Sequence, residues 1–124
     1  MYDRSLVLDI LEDIITATDT IIYRCSKANC MDDFMDDENG QMLLDSICML
    51  LIAVGESIKQ IDKITDKHLL QQYPEIPWKQ VAGIRDILSH HYFDLNAETE
   101  YGLCRDHIRD LNTILKQIHI ELKL

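Results

Sequence analysis

Three features of the sequence predict an all-α fold, an antiparallel bundle of four to five helices. Apolar residues recur three and four apart through long stretches near the start, middle and end of the chain, the spacing that lines one face of a helix. No segment has the period-2 alternation of a half-buried strand. Two prolines and four glycines in 124 residues leave little for the tight turns of a β-rich chain. This length supports one modest core, so a single domain over residues 1–124 is expected.

The first helix is expected from Asp3 to about Arg24. Leu6, Ile10, Ile14, Ala17 and Ile21 form a stripe, and Leu11, Ile15, Thr18 and Ile22 widen it enough to touch two neighbours. Asp3, Asp9, Glu12 and Asp13 gather in the N-terminal half, where the helix dipole favours negative charge. Periodicity fails from Lys27 to Gly40, where Asp32, Asp33, Asp36, Asp37 and Glu38 crowd together. Their order does not match an EF-hand loop, so a solvated loop is expected, with Phe34 and Met35 as its apolar anchors or partner contacts.

A second helix is expected from Gln41 to about Ile61. Leu43, Ile47, Leu50, Val54, Ile58 and Ile61 keep helical spacing with Leu44, Cys48 and Leu51 alongside, and apolarity on all sides from Met42 to Val54 predicts a central, heavily buried helix. Gly55 costs such a helix about 1 kcal/mol relative to alanine, and close approach of another backbone is a reason to have it. Glu56 beside it reads equally as a carboxylate with a specific buried partner or as an exposed residue. Asp62 to Tyr73 reads as a short polar turn or two. A further helix follows from Pro77, whose missing N–H suits the first helical position. Trp78, Val81, Ile84 and Leu88 give it an apolar face, and it ends near Tyr92. Asp94 or Asn96 then offers an N-cap for the last helix. There Tyr101, Cys104, Ile108, Leu111, Leu115, Ile118 and Leu122 form a regular seam, long enough to pack along the first and second helices.

Lysine and arginine number 12 against 22 acidic residues, a net charge of −10. Such a surface repels nucleic-acid phosphates, so any phosphate chemistry needs a local basic pocket. Cys25, Cys30, Cys48 and Cys104 lack the C-x2-C spacing of zinc or redox sites and read as core packing. No leader pattern is recognised, and no uninterrupted apolar run approaches the roughly 20 residues of a membrane span. A cytoplasmic protein without a membrane partner is expected.

Chemistry concentrates between Pro74 and Asn96. Arg85, His90 and Tyr92 form an Arg-x4-His-x-Tyr spacing, with Asp86, Ser89 and His91 beside them. On a helix Asp86 and His90 share a face, so the carboxylate can accept a hydrogen bond from one ring nitrogen and leave the other free. Arg85 and Ser89 share the next face. Arg85 points away from His90 by about 140° on an ideal helix, so either its long side chain curls back or two copies meet across a two-fold axis. Imidazoles beside a guanidinium suit metal-independent cleavage of RNA: histidine can take the 2′-OH proton and arginine can stabilise charge gathering on phosphorus. A histidine at a helix end also serves simply to cap carbonyls.

These residues resemble the HepT-like family of the HEPN superfamily, ribonuclease toxins paired with minimal nucleotidyltransferase antitoxins. VGESIKQI (Val54–Ile61), YPEIPW (Tyr73–Trp78) and VAGIRDILSHHYFDLN (Val81–Asn96) look like family segments in family order, and the likeness spans essentially the whole chain. The resemblance implies that Arg85 and His90 are the ribonuclease residues, that Asp86 is the polar residue following the arginine, and that two copies form a homodimer sharing one cleft. It also implies that Tyr92 receives AMP from ATP through the cognate nucleotidyltransferase, with no cofactor in the chain itself. His91 departs from the small residue expected before the tyrosine, and either crowds Tyr92 or offers a second imidazole. An alternative reading is a non-catalytic helical subunit that presents nucleotide or substrate to a nucleotidyltransferase.

Overall fold

The computed structural model describes residues 2–27, 38–90 and 107–124, without the side chains of Ile87, Ser89 and His90. Among the described residues there are five α-helices and no strand: α1 (Arg4–Cys25), α2 (Glu38–Thr65), α3 (Trp78–Ala82), α4 (Ile84–His90) and α5 (Ile108–Lys123). The expected all-α architecture is therefore present. The acidic stretch 32–37 with Phe34 and Met35, and the segment holding Asp94, Asn96, Tyr101 and Cys104, lie outside the described residues.

The Asp3 carboxylate caps α1 by accepting from the Leu6 backbone N–H at 3.1 Å. Its buried stripe runs through Val7, Ile10, Leu11, Ile14, Thr18, Ile21 and Cys25. Leu6, which the periodicity had placed on this stripe, is 43% exposed, and Val7 takes the core position instead. A stripe wider than one contact face leaves its edge undecided by spacing, and packing chooses.

Every described residue of the expected seam in α5 is buried: Ile108, Leu111, Leu115, Ile118 and Leu122. α5 packs chiefly on α1, one of the two helices its length would let it reach. The two run antiparallel, since Asn112 pairs with Thr18 while His119 pairs further back with Glu12. Buried Asn112 donates to the Thr18 hydroxyl at 2.8 Å and to the Asp19 carboxylate at 3.0 Å, which occupies both donors of its amide nitrogen and fixes the register of the seam. Lys116 adds an ion pair to Asp19 at 3.2 Å on the rim.

The second helix is longer at both ends than expected, by a turn into Glu38 and another to Thr65. It packs on α1 along one side and on α3 and α4 along another. It is also the one described helix long and apolar enough to cross a membrane by length and composition, with a mean hydropathy of 1.6 in its most apolar window. Its contacts make it the core helix instead. The expectation of burial on all sides is corrected, because Met42 and Met49 stand 61% and 68% exposed on one face. Cys48 and Cys25 sit in the core, as their packing reading required.

After α2 the chain turns through Asp66 and Lys67, both at positive φ (52° and 63°), where Lys67 N–H bonds Asp62 C=O at 2.8 Å. This left-handed helix stop uses no glycine. The stretch expected to be polar then buries Leu69, Leu70 and Tyr73 around a short 3-10 turn, Leu70–Gln72. Tyr73 is the anchor: its hydroxyl donates to the Glu121 carboxylate on α5 and its carbonyl accepts from Trp78 Nε1 at 2.8 Å. Burial, then the neighbouring Glu121 carboxylate, push its pKa up to about 12, while the same hydrogen bond lowers that of Glu121. A phenol raised from 10.0 contributes stability that is present below pH 10 and lost as pH rises through about 12. Denaturant melts from pH 9 to 12 should show this alkaline loss, and Tyr73→Phe should flatten it.

Gly55 supplies the close approach that its position in α2 had suggested. A Cβ there would lie 3.0 Å from the Val81 carbonyl oxygen and 3.0 Å from Ile84 Cγ2. The backbone of α3 and the first residue of α4 thus rest directly on α2. Gly55→Val should lower unfolding stability by about 2–3 kcal/mol, measured by urea denaturation, because a carbonyl cannot rotate away as a side chain can.

Candidate functional site

The helix expected from Pro77 onward is two helices. Pro77 precedes rather than begins α3, with its carbonyl accepting from Gln80 and Val81 at 3.0 and 3.1 Å. At Gly83 the chain bends; its N–H bonds Lys79 C=O at 3.0 Å and its own carbonyl accepts from Asp86 at 3.1 Å. Val81 at the end of α3 and Ile84 at the start of α4, three positions apart, both meet Gly55. Of the expected apolar face, Leu88 is buried and Trp78, Val81 and Ile84 are half-buried against the core.

Docking at Gly55 places the next residue of each element together. Arg85 Nη1 lies 3.3 Å from Glu56 Oε1, across 29 positions of sequence. The arginine side chain is 55% exposed and the glutamate 42%. Glu56 therefore combines the two readings open for it, having a specific partner without being buried. Lys59, one turn further along α2, approaches the same oxygen at 3.5 Å. Two cations on one carboxylate oxygen make a compact positive cluster on a chain of net charge −10. Spacing within α2 permitted the Lys59–Glu56 pair; the addition of Arg85 had no signal in the sequence.

Asp86 and His90 both belong to α4, four residues apart, so the helical relation assumed for them holds at the backbone. Asp86 is exposed. Ser89 and His90 fall in the last turn of α4. His91 and Tyr92 lie outside the described residues. A cleft of about 300 Å³ opens nearby, between α2, α3 and the start of α5. Leu51, Val54, Val81 and Ile84 wall it while Glu75 and Asp110 stand at its edge. His107 also lines it, but the lining is otherwise mostly apolar and acidic and gives an anion little to bind.

An exposed ion pair contributes little to folding, since solvent screens it and two long side chains must be ordered to make it. Glu56→Gln should accordingly shift stability by less than about 1 kcal/mol in urea melts. A larger loss would mean that the cluster holds α4 on α2, a task the structure gives to Gly55, Val81 and Ile84.

Comparison with known proteins places this geometry in context. A family profile described as Ribonuclease HepT-like matches residues 7–118. A protein of Methanocaldococcus jannaschii named "Putative RNase MJ0127" is 30% identical over 125 residues, covering 95% of this chain and 91% of that protein. A protein of Thermococcus cleftensis named "Probable ribonuclease HepT" is 30% identical over 103 residues, covering 83% of this chain and 86% of its own length. Another M. jannaschii protein, "Putative RNase MJ1216", is 27% identical over 118 residues, covering 95% and 83%. No solved structure matches the chain.

Proposed function

Because the chain belongs to the HepT-like ribonuclease family, we propose that it is a metal-independent endoribonuclease toxin whose cleavage site is built on Arg85 and His90. The observation that supports this most is the placement of Arg85. Its side chain is more than half exposed and, among the described residues, is paired with a carboxylate that is itself half in water, on the same short helix that ends at His90. An arginine held this loosely is available to an incoming phosphate.

In this mechanism His90 takes the proton from a ribose 2′-OH, and the oxygen attacks the adjacent phosphorus. Arg85 stabilises the negative charge that gathers on the phosphoryl oxygens. The bond to the 5′-oxygen breaks, leaving a 2′,3′-cyclic phosphate, and the leaving oxygen takes up a proton, for which the second imidazole of His91 is suited. Asp86 orients the His90 ring from one turn earlier, and Ser89 supports it from the adjoining position. Residues 1–124 act as one cytoplasmic domain.

Two copies complete the cleft. The exposed Met42 and Met49 support an apolar contact along α2, on the helix that also carries Glu56. Regulation falls on Tyr92: its hydroxyl attacks the α-phosphorus of ATP on a minimal nucleotidyltransferase partner, pyrophosphate leaves, and AMP stays attached. A bulky anion two residues from His90 obstructs RNA and competes for the Arg85 guanidinium.

Arg85→Ala and His90→Ala should each slow cleavage of RNA by about 10²- to 10³-fold with melting temperatures unchanged. Cleavage at the parent rate in either variant would falsify the catalytic assignment and favour a non-catalytic binding subunit. Intact-mass analysis of protein produced with its partner should show whole AMP increments that vanish in Tyr92→Phe; an unmodified mass would remove the regulatory half.

A further inference from the structure

We infer that Lys59 is a second phosphate-gripping residue for the RNA, acting beside Arg85 at the seat now filled by the Glu56 carboxylate; this rests on the ribonuclease reading above. Lys59 Nζ and Arg85 Nη1 approach one oxygen, Glu56 Oε1, at 3.5 and 3.3 Å. They come from different helices, and both are about half exposed. A lysine three residues beyond a glutamate is by itself an ordinary helix-surface pair. Here the same oxygen also draws an arginine from α4, so the two cations are already arranged around a single anionic oxygen.

A phosphate oxygen has the same charge and hydrogen-bonding capacity as that carboxylate oxygen. When RNA replaces it, Arg85 can present its planar fork to the phosphate while Lys59 acts as a compact point charge on the same or the adjoining group. Lys59 also answers the electrostatic problem of the chain. With a net charge of −10, binding RNA needs cations concentrated at one place, and these two outnumber the single carboxylate between them. Its position on α2, one turn from the helix–helix contact at Gly55, fixes it to the rigid core rather than to a loop.

The test measures cleavage of a single-stranded RNA oligonucleotide over a series of salt concentrations by the parent, Lys59→Gln and Lys116→Gln. Lys116 is paired with Asp19 on the α1–α5 rim, so its replacement removes equal charge at a distance from the site. Lys59→Gln should raise KM about fivefold or more, leave kcat within about twofold, and reduce the dependence of log(kcat/KM) on log salt by about 0.7, the contribution of one single-strand phosphate contact. Lys116→Gln should match the parent. Unchanged KM and salt slope in Lys59→Gln, or equal changes in both variants, would overturn the assignment. The underlying ribonuclease reading fails differently, through an Arg85→Ala protein that still cleaves; a dead Arg85→Ala beside a parental Lys59→Gln rejects Lys59 alone.

Discussion

The contact at Gly55 is the constraint on which the rest of the structure depends. A helix as apolar as α2 ordinarily keeps its neighbours at side-chain distance, 8–10 Å between axes. Removing one Cβ lets the Val81 carbonyl and Ile84 side chain settle against the helix backbone itself. The meeting of charges beside it follows from that depth. Glu56 is the residue after Gly55 and Arg85 is the residue after Ile84, so the two backbones that touch carry the two charges that meet. Two short helices in succession, α3 and α4, press on that one glycine from either side of Gly83. On the far side, Tyr73 holds the entrance to this pair of helices by bonding both Glu121 and Trp78, so α3 is tied to α5 as well as to α2.

How much of this was legible depended on whether the determinant was local. The α5 seam was readable residue by residue, since a helix with one narrow apolar stripe has only one way to face a core. The same logic failed at the edges of broad stripes, where Leu6 turned outward and Val7 inward, and where Met42 and Met49 stayed in solvent despite an apolar sequence around them. Leu69, Leu70 and Tyr73 were missed because they are buried by a 3-10 turn, whose short length gives no period to detect.

The candidate site divides in the same way. Residue types and spacing put Arg85, Asp86 and His90 on one segment, and the structure keeps all three within α4. The close approach at Gly55 was predictable from the cost of a glycine in a buried helix. The identity of its neighbour was not, because Arg85 and Glu56 meet through tertiary packing across 29 positions. Lys59 carried even less signal. A lysine near a glutamate on a helix is common, and only the third member of the cluster gives it meaning.

The modest strength of the cluster is itself suited to its place. Had Glu56 and Arg85 been paired in the dry interior, removing one partner from the other would cost about 3–5 kcal/mol. An RNA phosphate would then have to overcome that before gaining anything. With both side chains about half exposed, the pair contributes at most about 1 kcal/mol, and an anion of equal or greater charge can take the carboxylate's place at little cost. Meanwhile the carboxylate keeps two cations from repelling each other when no substrate is present, and it holds them near the geometry an oxyanion requires. On the proposed ribonuclease reading, the resident anion would preorganise the site without blocking it, and the balance depends on burial: deeper placement would lock Arg85 away, and full exposure would let both cations swing free.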